Sequence, residues 1–142
     1  MPKPNESSGG DRVSIDEDTH QLYRDLTERS SEDPEESPFV YMKDVFMWAV
    51  ALGVQTGKSM PLRKREQIFR WDQFSQHTDI PALQAIAISS TNGLDVLLDQ
   101  SQILRIAEEY ANAGIRELKK EIVDQPGRPL WNLVSMLRKK VE

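Results

Sequence analysis

The stretch from Phe39 to Gly53, FVYMKDVFMWAVALG, constrains this chain more than any other part of the sequence. Eleven of the thirteen residues from Tyr41 to Gly53 are non-polar, glycine included, and two charged residues interrupt them. A helix that is apolar nearly all round must be covered by neighbouring elements on most of its sides. We therefore predict a buried central helix over about 40–52, with Gly53 as its C-terminal stop.

The other segments favour further helices around this one. Apolar residues at helical spacing, separated by turns rich in Pro, Gly and Asn, predict helices over 14–29, 63–74, 82–89, 101–123 and 130–141. No segment shows the sustained period-two alternation that is typical of half-buried strands. The predicted fold class is all-α, a compact bundle of five to seven helices around the buried helix at 40–52.

Two features of the predicted helices bear on the core. Gly114 in the middle of the longest helix costs about 1 kcal/mol relative to alanine, which is explained if the central helix crosses close to it; the alternative is a break into two helices there. Side chains expected in the core from the 63–74 helix are Ile68, Phe69, Trp71 and Phe74. Those expected on the inward face of the last helix are Leu130, Val134 and Leu137.

Charge divides the chain unevenly. The net charge is −5 overall, but residues 1–38 hold 11 acidic and 4 basic residues, whereas 39–142 hold 12 acidic and 14 basic residues. The acidic run SSEDPEESP at 30–38 has two prolines and predicts a linker. We therefore expect a disordered acidic arm with one short helix at 1–37 and a single helical domain at 38–142. Such an arm could cover a basic surface of the same chain.

Composition limits the chemistry. The chain has no cysteine, which excludes disulfides and thiolate sites. Its start, MPKPNESSGG, lacks an apolar signal region, and its longest apolar run is shorter than the roughly 20 residues of a membrane span. We expect a soluble cytoplasmic protein without membrane contact.

The sequence predicts no active site. Gly53, Gly57, Lys58 and Ser59 are reminiscent of a phosphate-binding loop, but three residues separate the glycines where the motif needs four. The two histidines are isolated from each other and from acidic residues at ligand spacing, and Glu108-Glu109 fits a solvated helix face. We predict no catalytic residue, no metal and no cofactor, and therefore a protein that is not an enzyme.

The densest basic cluster is the one candidate site. It comprises Lys58, Arg63, Lys64, Arg65 and Arg70. Basic side chains that open a short helix can contact the phosphates of a nucleic acid; a solvated helix start is the alternative interpretation. A weaker second group consists of Arg128, Arg138, Lys139 and Lys140.

Four blocks of the sequence resemble a known family. They are PFVYMKDVFMWAVALG at 38–53, PLRKRE at 61–66, LQAIAISSTNGLDVL at 83–97 and ILRIAEEYANAGIREL at 103–118. In this order and spacing they are similar to the proteins associated with DNA phosphorothioation (Dnd) systems that are called Dnd system-associated protein 4. The match covers roughly residues 38–120, and MKDVFMWAVALG and EEYANAGI are its most specific parts.

The resemblance implies a place in a prokaryotic anti-phage defence system, in which sulfur in the DNA backbone marks self DNA and associated proteins restrict unmarked DNA. It implies a non-catalytic accessory or adaptor subunit of this modification-restriction system. The implied partners are larger proteins of the same system, ATPase-like or helicase-like, with DNA as a further candidate.

Two other functions compete with the adaptor. The first is a small DNA-binding transcriptional regulator of a defence gene cluster, which would use the basic cluster or a helix-turn-helix around 82–110. The second is a nuclease, which would need clustered carboxylates that the spacing of the acidic residues does not supply.

Overall fold

Five α-helices and a two-stranded antiparallel sheet make up the part of the chain that the structure describes. The structure is a computed structural model, and it describes residues 11–27 and 33–141, with side chains as far as 139. In chain order the elements are β1 (Arg12–Asp16), α1 (His20–Asp25), α2 (Met42–Thr56), β2 (Arg65–Arg70), α3 (Asp79–Thr91), α4 (Gln100–Leu118) and α5 (Pro129–Val141). A π-helical turn, Lys119–Val123, continues α4.

Helix α2 is the predicted central helix, with its C-terminal end four residues further on. The helix passes through Gly53 and ends at Thr56; its cap is Gly57, whose φ of 69° is left-handed. The N–H groups of Gly57 and Lys58 donate to the carbonyl oxygens of Val54 and Gly53, at 3.1 and 2.9 Å. The prediction that Gly53 stops the helix is wrong, because the second glycine makes the left-handed turn that closes it.

Gly53 has a different role, at the crossing of α2 and α4. A Cβ atom on Gly114 would lie 1.7 Å from the carbonyl oxygen of Ala49, and one on Gly53 would lie 2.2 Å from that of Tyr110. Each helix therefore presents a glycine to the backbone of the other. Helix α4 runs unbroken through Gly114, so the predicted close crossing is confirmed.

The all-α prediction is wrong, because two of the segments predicted as helices form a sheet. Strand β1 overlaps the start of the predicted helix at 14–29, and β2 lies within the one at 63–74; the two strands pair antiparallel. Val13 and Ile15 alternate with polar residues in β1, and both are β-branched, which favours a strand. Both segments are too short for a sustained alternation to show, and each depends on a partner about fifty residues away for its hydrogen bonds.

The sheet packs one face on α2. Val13 lies opposite Phe69, and both side chains are buried. The ring of Phe69 lies 5.8 Å from that of Phe46 in α2 and 5.3 Å from that of Phe74, centroid to centroid. Ile68 and Trp71 are partly buried against the same core. The core prediction for the 63–74 segment is therefore confirmed, although its backbone is extended.

The predicted disordered arm is wrong for residues 11–27. Val13 in β1 and Tyr23 in α1 are fully buried, and Leu26 is 1 % exposed. The imidazole of His20 contacts the carboxylate of Glu66, which ties α1 to β2. These residues belong to the core that the body of the chain forms. Residues 1–10 and 28–32 of the predicted arm lie outside the described residues.

The remaining helices lie close to their predicted positions. Helix α3 has Pro81 in its first turn and ends at Thr91; its cap is Asn92, whose φ is 57°. In α5, Leu133 and Met136 are buried, whereas Leu137 is 38 % exposed. The inward face predicted from Leu130, Val134 and Leu137 is therefore wrong, because the buried face is rotated by about one residue around the helix. Among 11–27 and 33–141, no helix combines the length and apolarity needed to cross a membrane.

Candidate nucleic-acid interface

The five residues of the predicted basic cluster lie along β2 and the segment that leads into it. Lys58 follows the end of α2, Arg63 and Lys64 precede β2, and Arg65 and Arg70 are its first and last residues. All five are exposed. The cluster is thus brought together, but on a two-stranded ribbon and its entry turn instead of the start of a helix.

A β-bulge places both ends of β2 on the same side of this ribbon. Residues 65 and 70 are an odd number of positions apart, so a regular strand would point them to opposite faces. The register shifts by one residue at Ile68: Val13 lies opposite Phe69, but Ser14 lies opposite Gln67. An extra residue in one strand resets the alternation beyond it. Arg65 and Arg70 therefore share a face.

This face also carries two exposed residues that the sequence analysis did not select. Arg12, Ser14 and Asp16 of β1 lie opposite Arg70, Gln67 and Arg65 of β2. Of these six residues, Arg12, Arg65, Gln67 and Arg70 are exposed. Ser14 and Asp16 are buried, and they form hydrogen bonds with Glu108, Asn112 and Arg116 of α4. The signal that could have found Arg12 is the RVSID alternation, which predicts a strand with Arg12 on its polar side.

Arg65 is held by a buried carboxylate. The side chain of Glu108 in α4 is 1 % exposed, and its two oxygens accept from the N–H of Ser14, at 2.8 Å, and from the Arg65 guanidinium. Burial raises the pKa of Glu108 above its ordinary value, while the Ser14 N–H and Arg65 act in the opposite direction. The prediction of a solvated face for Glu108 is wrong. Its position on the stripe Leu104, Glu108, Ala111, Ile115 is the signal for burial.

Asp16 organises the turn that precedes β2. Its Oδ1 atom accepts from the N–H groups of Arg63 and Lys64, at 2.6 and 2.9 Å, and its Oδ2 atom accepts from Asn112 and Arg116 in α4. Burial opposes ionisation of this carboxyl, but the two N–H groups, the Asn112 amide and Arg116 outweigh it and lower its pKa below the ordinary value. The Asp16 charge is therefore satisfied inside the protein.

The remaining acidic neighbours of the cluster form exposed ion pairs. Glu17 lies 3.3 Å from Lys64, and Asp72 lies 3.3 Å from Arg70, between nitrogen and oxygen atoms. Exposed pairs of this kind contribute roughly 0–1 kcal/mol, so they are readily exchanged for other anions. Within the described part of the chain, Arg12, Lys58 and Arg63 form no ion pair.

The second basic group is divided. Arg128 contacts acidic residues of the predicted linker: its guanidinium lies 2.7 Å from Asp33, 3.7 Å from Glu35 and 3.6 Å from Glu36. The acidic linker thus contacts one residue of the second basic group, and the Arg128 side chain stays 49 % exposed. Arg138 and Lys139 are exposed at the end of α5, and the side chain of Lys140 lies outside the described residues.

The segment that was compared with a phosphate-binding loop lies partly inside α2. Gly53 is buried at the helix crossing, Gly57 is the helix cap, and Lys58 follows on the surface. Residues 11–27 and 33–141 contain no group of three or more His, Cys, Asp or Glu side chains with the arrangement of a metal site.

Comparison with known proteins identifies the family. No curated protein and no solved structure matches the chain. The family model that does match is described as DNA sulphur modification system-associated protein 4, and the match covers residues 12–142. It therefore includes β1, the first strand of the ribbon, and the C-terminal helix α5. The family is associated with a DNA sulphur modification system, and this chain belongs to it.

Proposed function

We propose that this protein is a non-catalytic accessory or adaptor subunit of a phosphorothioation-dependent modification-restriction system and that it acts by contacts with the larger proteins of that system. Membership in a family named for its association with DNA sulphur modification supports a partner within that system. The further support comes from an apolar surface on the turn between α3 and α4.

Three leucines project from this turn into solvent. Leu94 is 68 % exposed, Leu97 is 39 % exposed and Leu98 is 91 % exposed; we call them the leucine turn. Val96 between them is buried and anchors the turn to the core. Single exposed apolar residues are ordinary, but several on one short segment are typical of an interaction site. This surface is the observation that carries the proposal.

The charges beside the leucine turn indicate the chemistry of its partner. Asp95 lies within the turn and Asp99 directly after it, where its side chain caps α4 by accepting from the N–H of Gln102 at 3.1 Å. A partner surface with an apolar anchor flanked by Lys or Arg side chains would complement this arrangement. The proposed occupant is therefore a basic-rimmed apolar patch on a larger protein of the same system.

Co-purification tests the proposal. The tagged protein is expressed with the whole gene cluster, and its partners are recovered and identified. Replacing the leucine turn with serines (Leu94→Ser, Leu97→Ser and Leu98→Ser) should reduce partner recovery by about tenfold or more. The matched control is Val40→Ser with Tyr41→Ser, which alters two other exposed apolar residues (47 and 60 % exposed). Equal recovery with the leucine variant, or no partner with the unaltered protein, would refute the adaptor role.

DNA contact is the second candidate function, and the basic ribbon favours it. The proposed contact residues remain Lys58, Arg63, Lys64, Arg65 and Arg70, and they would also serve a transcriptional regulator. A helix-turn-helix at 82–110 is a poorer candidate, because Asp95 in its turn and Asp99 at the start of its second helix would repel phosphates. A salt-dependent gel shift with duplex DNA, lost on replacing Arg63, Lys64 and Arg65 with alanine, tests this function.

A further inference from the structure

We propose that α5 is a dimerisation helix, which pairs antiparallel with α5 of a second copy of this chain about a two-fold axis. The contact surface is a row of apolar residues on the outer side of the helix, which we call the α5 stripe: Leu130, Trp131, Val134 and Leu137. The proposal goes beyond the adaptor role, and it depends neither on the leucine turn nor on DNA contact.

The first step is that α5 has more apolar surface than the core of its own chain covers. Leu133 and Met136 are buried and belong to the core. In the α5 stripe beside them, Trp131 is 56 % exposed and Leu137 is 38 % exposed. Its other two members are partly exposed and do not belong to the residues that pack against the core. A single chain therefore leaves much of this stripe in contact with water.

The second step is that the stripe has the spacing of a helix–helix contact. Leu130, Val134 and Leu137 follow one another at steps of four and three residues, so they form one row along the helix. Trp131 lies three residues before Val134, on the solvent side of this row. Steps of four and three are typical of helices that pair side by side. The sequence analysis assigned the row to the inside of the protein for this reason, and a second helix would cover it.

The third step is the negative charge at the beginning of the stripe. The backbone carbonyl of Glu35 accepts from the N–H of Leu130, at 3.0 Å, and its carboxylate accepts from the indole N–H of Trp131, also at 3.0 Å. This carboxylate therefore lies on the stripe itself. Glu35 shares the Arg128 guanidinium with two further carboxylates, Asp33 and Glu36. Three acidic groups around one basic group leave this end negative.

The fourth step is the positive charge at the other end. Arg138 and Lys139 follow the last member of the stripe and are exposed. Neither pairs with a carboxylate among the described residues. Helix α5 thus presents an apolar row with a negative beginning and a positive end.

This distribution of charge identifies the partner. An antiparallel copy of α5 places the positive end of each helix beside the negative beginning of the other, whereas a parallel copy would bring like charges together. With a two-fold axis near Val134, Arg138 of each copy lies beside Glu35 of the other, and every contact occurs twice. An anionic membrane, which basic amphipathic helices also bind, would be repelled by the carboxylates at the beginning of the stripe.

The size of the interface sets the expected strength of the dimer. Helix α5 has 13 residues, so one helix per copy makes a small interface of the kind that is typical of transient complexes. The dimer should therefore form at high protein concentration and dissociate on dilution. It would present two leucine turns to a larger protein, which strengthens binding where that protein offers two sites.

Sedimentation velocity of the full chain at about 1 and 100 µM tests the proposal. We expect a monomer at the lower concentration and a dimer at the higher one. Trp131→Ala with Leu137→Ala should raise the Kd of the dimer by about a hundredfold or more. The matched control is Tyr41→Ala with Val40→Ala, which truncates an aromatic and an aliphatic residue that are 60 and 47 % exposed elsewhere. It should dimerise like the unaltered protein. Circular dichroism verifies that each variant is folded.

A charge exchange tests the antiparallel arrangement. Arg138→Glu alone, or Glu35→Arg alone, places like charges at both contacts and should raise the Kd by about tenfold. An equimolar mixture of the two variants has opposite charges at both contacts of the mixed dimer, so it should dimerise like the unaltered protein. Damage to the helix within each chain would not be repaired by mixing.

Four results would overturn the proposal. They are a monomer at about 100 µM, a dimer that survives Trp131→Ala with Leu137→Ala, an equal loss in the control, and a failure of the mixed charge variants to recover. A monomeric protein whose alanine variant recovers less of a larger protein in the co-purification experiment would place that protein on the stripe, and this also refutes the dimer. The leucine-turn variant, which should still dimerise, separates these outcomes from a failure of the adaptor role.

Discussion

The carbonyl oxygen of Ala49 lies 1.7 Å from the position that a Cβ atom on Gly114 would occupy. The two helices that form the centre of the core, α2 and α4, therefore approach each other backbone to backbone. Gly53 makes the reciprocal approach to Tyr110. The crossing depends on the absence of a side chain at both positions, and alanine, the smallest other residue, cannot be accommodated without moving a helix.

Replacing Gly114 with alanine should therefore lower the free energy of unfolding by about 3 kcal/mol or more. Without the crossing, the same change in mid-helix would raise it by up to about 1 kcal/mol, so the sign of the effect is diagnostic. Urea unfolding measures it. Gly93→Ala is the control, because the nearest atom to its Cβ position is 4.0 Å away; a neutral or stabilising Gly114→Ala would contradict the crossing.

Asp16→Asn should make stability less dependent on pH in the acid range. The pKa of Asp16 is lower in the folded protein than in the unfolded chain, so its carboxylate stabilises the fold above the unfolded pKa of about 4. This stabilisation is lost as the pH falls through the folded pKa. We expect the variant to be less stable by about 1–3 kcal/mol at neutral pH.

Urea unfolding across the acid range checks this prediction. The difference between Asp16→Asn and the unaltered protein should shrink as the pH falls below about 4. Asp18→Asn, at a neighbouring carboxylate that is two-thirds exposed, serves as the control and should change little. A difference that grows towards low pH would mean that the shift has the opposite sign.

Tyr23→Phe should stabilise the protein or leave it unchanged. The Tyr23 side chain is fully buried, and its hydroxyl has no hydrogen-bond partner among the described residues. Burial, and to a smaller extent the Glu108 carboxylate, raises the pKa of this hydroxyl, which remains neutral. Removing an unpaired buried hydroxyl avoids a desolvation cost of about 1–3 kcal/mol. Thermal unfolding measures the effect; a clear loss of stability would indicate a partner for the hydroxyl.

Two leucines of α5 should differ in their contribution to stability. Leu133 is 8 % exposed and Leu137 is 38 % exposed. Leu133→Ala should cost about 2 kcal/mol or more, as for other buried leucines, and Leu137→Ala clearly less. The two variants make the same chemical change in the same helix, so each serves as the other's control. Equal losses in urea unfolding would show that α5 packs on the face expected from the sequence.

The central helix and its crossing could be predicted from the sequence because their signals are local. A long apolar run must be covered by neighbouring elements on most of its sides. A glycine in the middle of a helix is unfavourable, and the close approach of α2 explains its presence. The C-terminal end of α2 was predicted at Gly53, whereas Gly57 caps it. Gly53 packs against the backbone of α4 and Gly57 does not, and this contact depends on the tertiary structure.

The sheet could not be predicted in the same way. Its strands are five and six residues long, and the bulge at Ile68 interrupts the alternation in β2. The basic cluster was visible because its residues are close in sequence, but Arg12 is brought to Arg70 only by strand pairing. Likewise Glu108 looked solvated beside Glu109, although the helical stripe to which it belongs is buried. These contacts join segments that are distant along the chain, so local patterns in the sequence do not predict them.

The hydrogen bonds of β1 span almost the whole chain, from Ser14 to Glu108 over 94 residues and from Asp16 to Arg116 over 100. On the ribosome, this strand emerges first among the described elements. Its strand partner β2 follows about fifty residues later, whereas its partners in α4 emerge only when most of the polypeptide has been made. Folding of this protein is therefore expected to finish with the docking of α4 on the sheet.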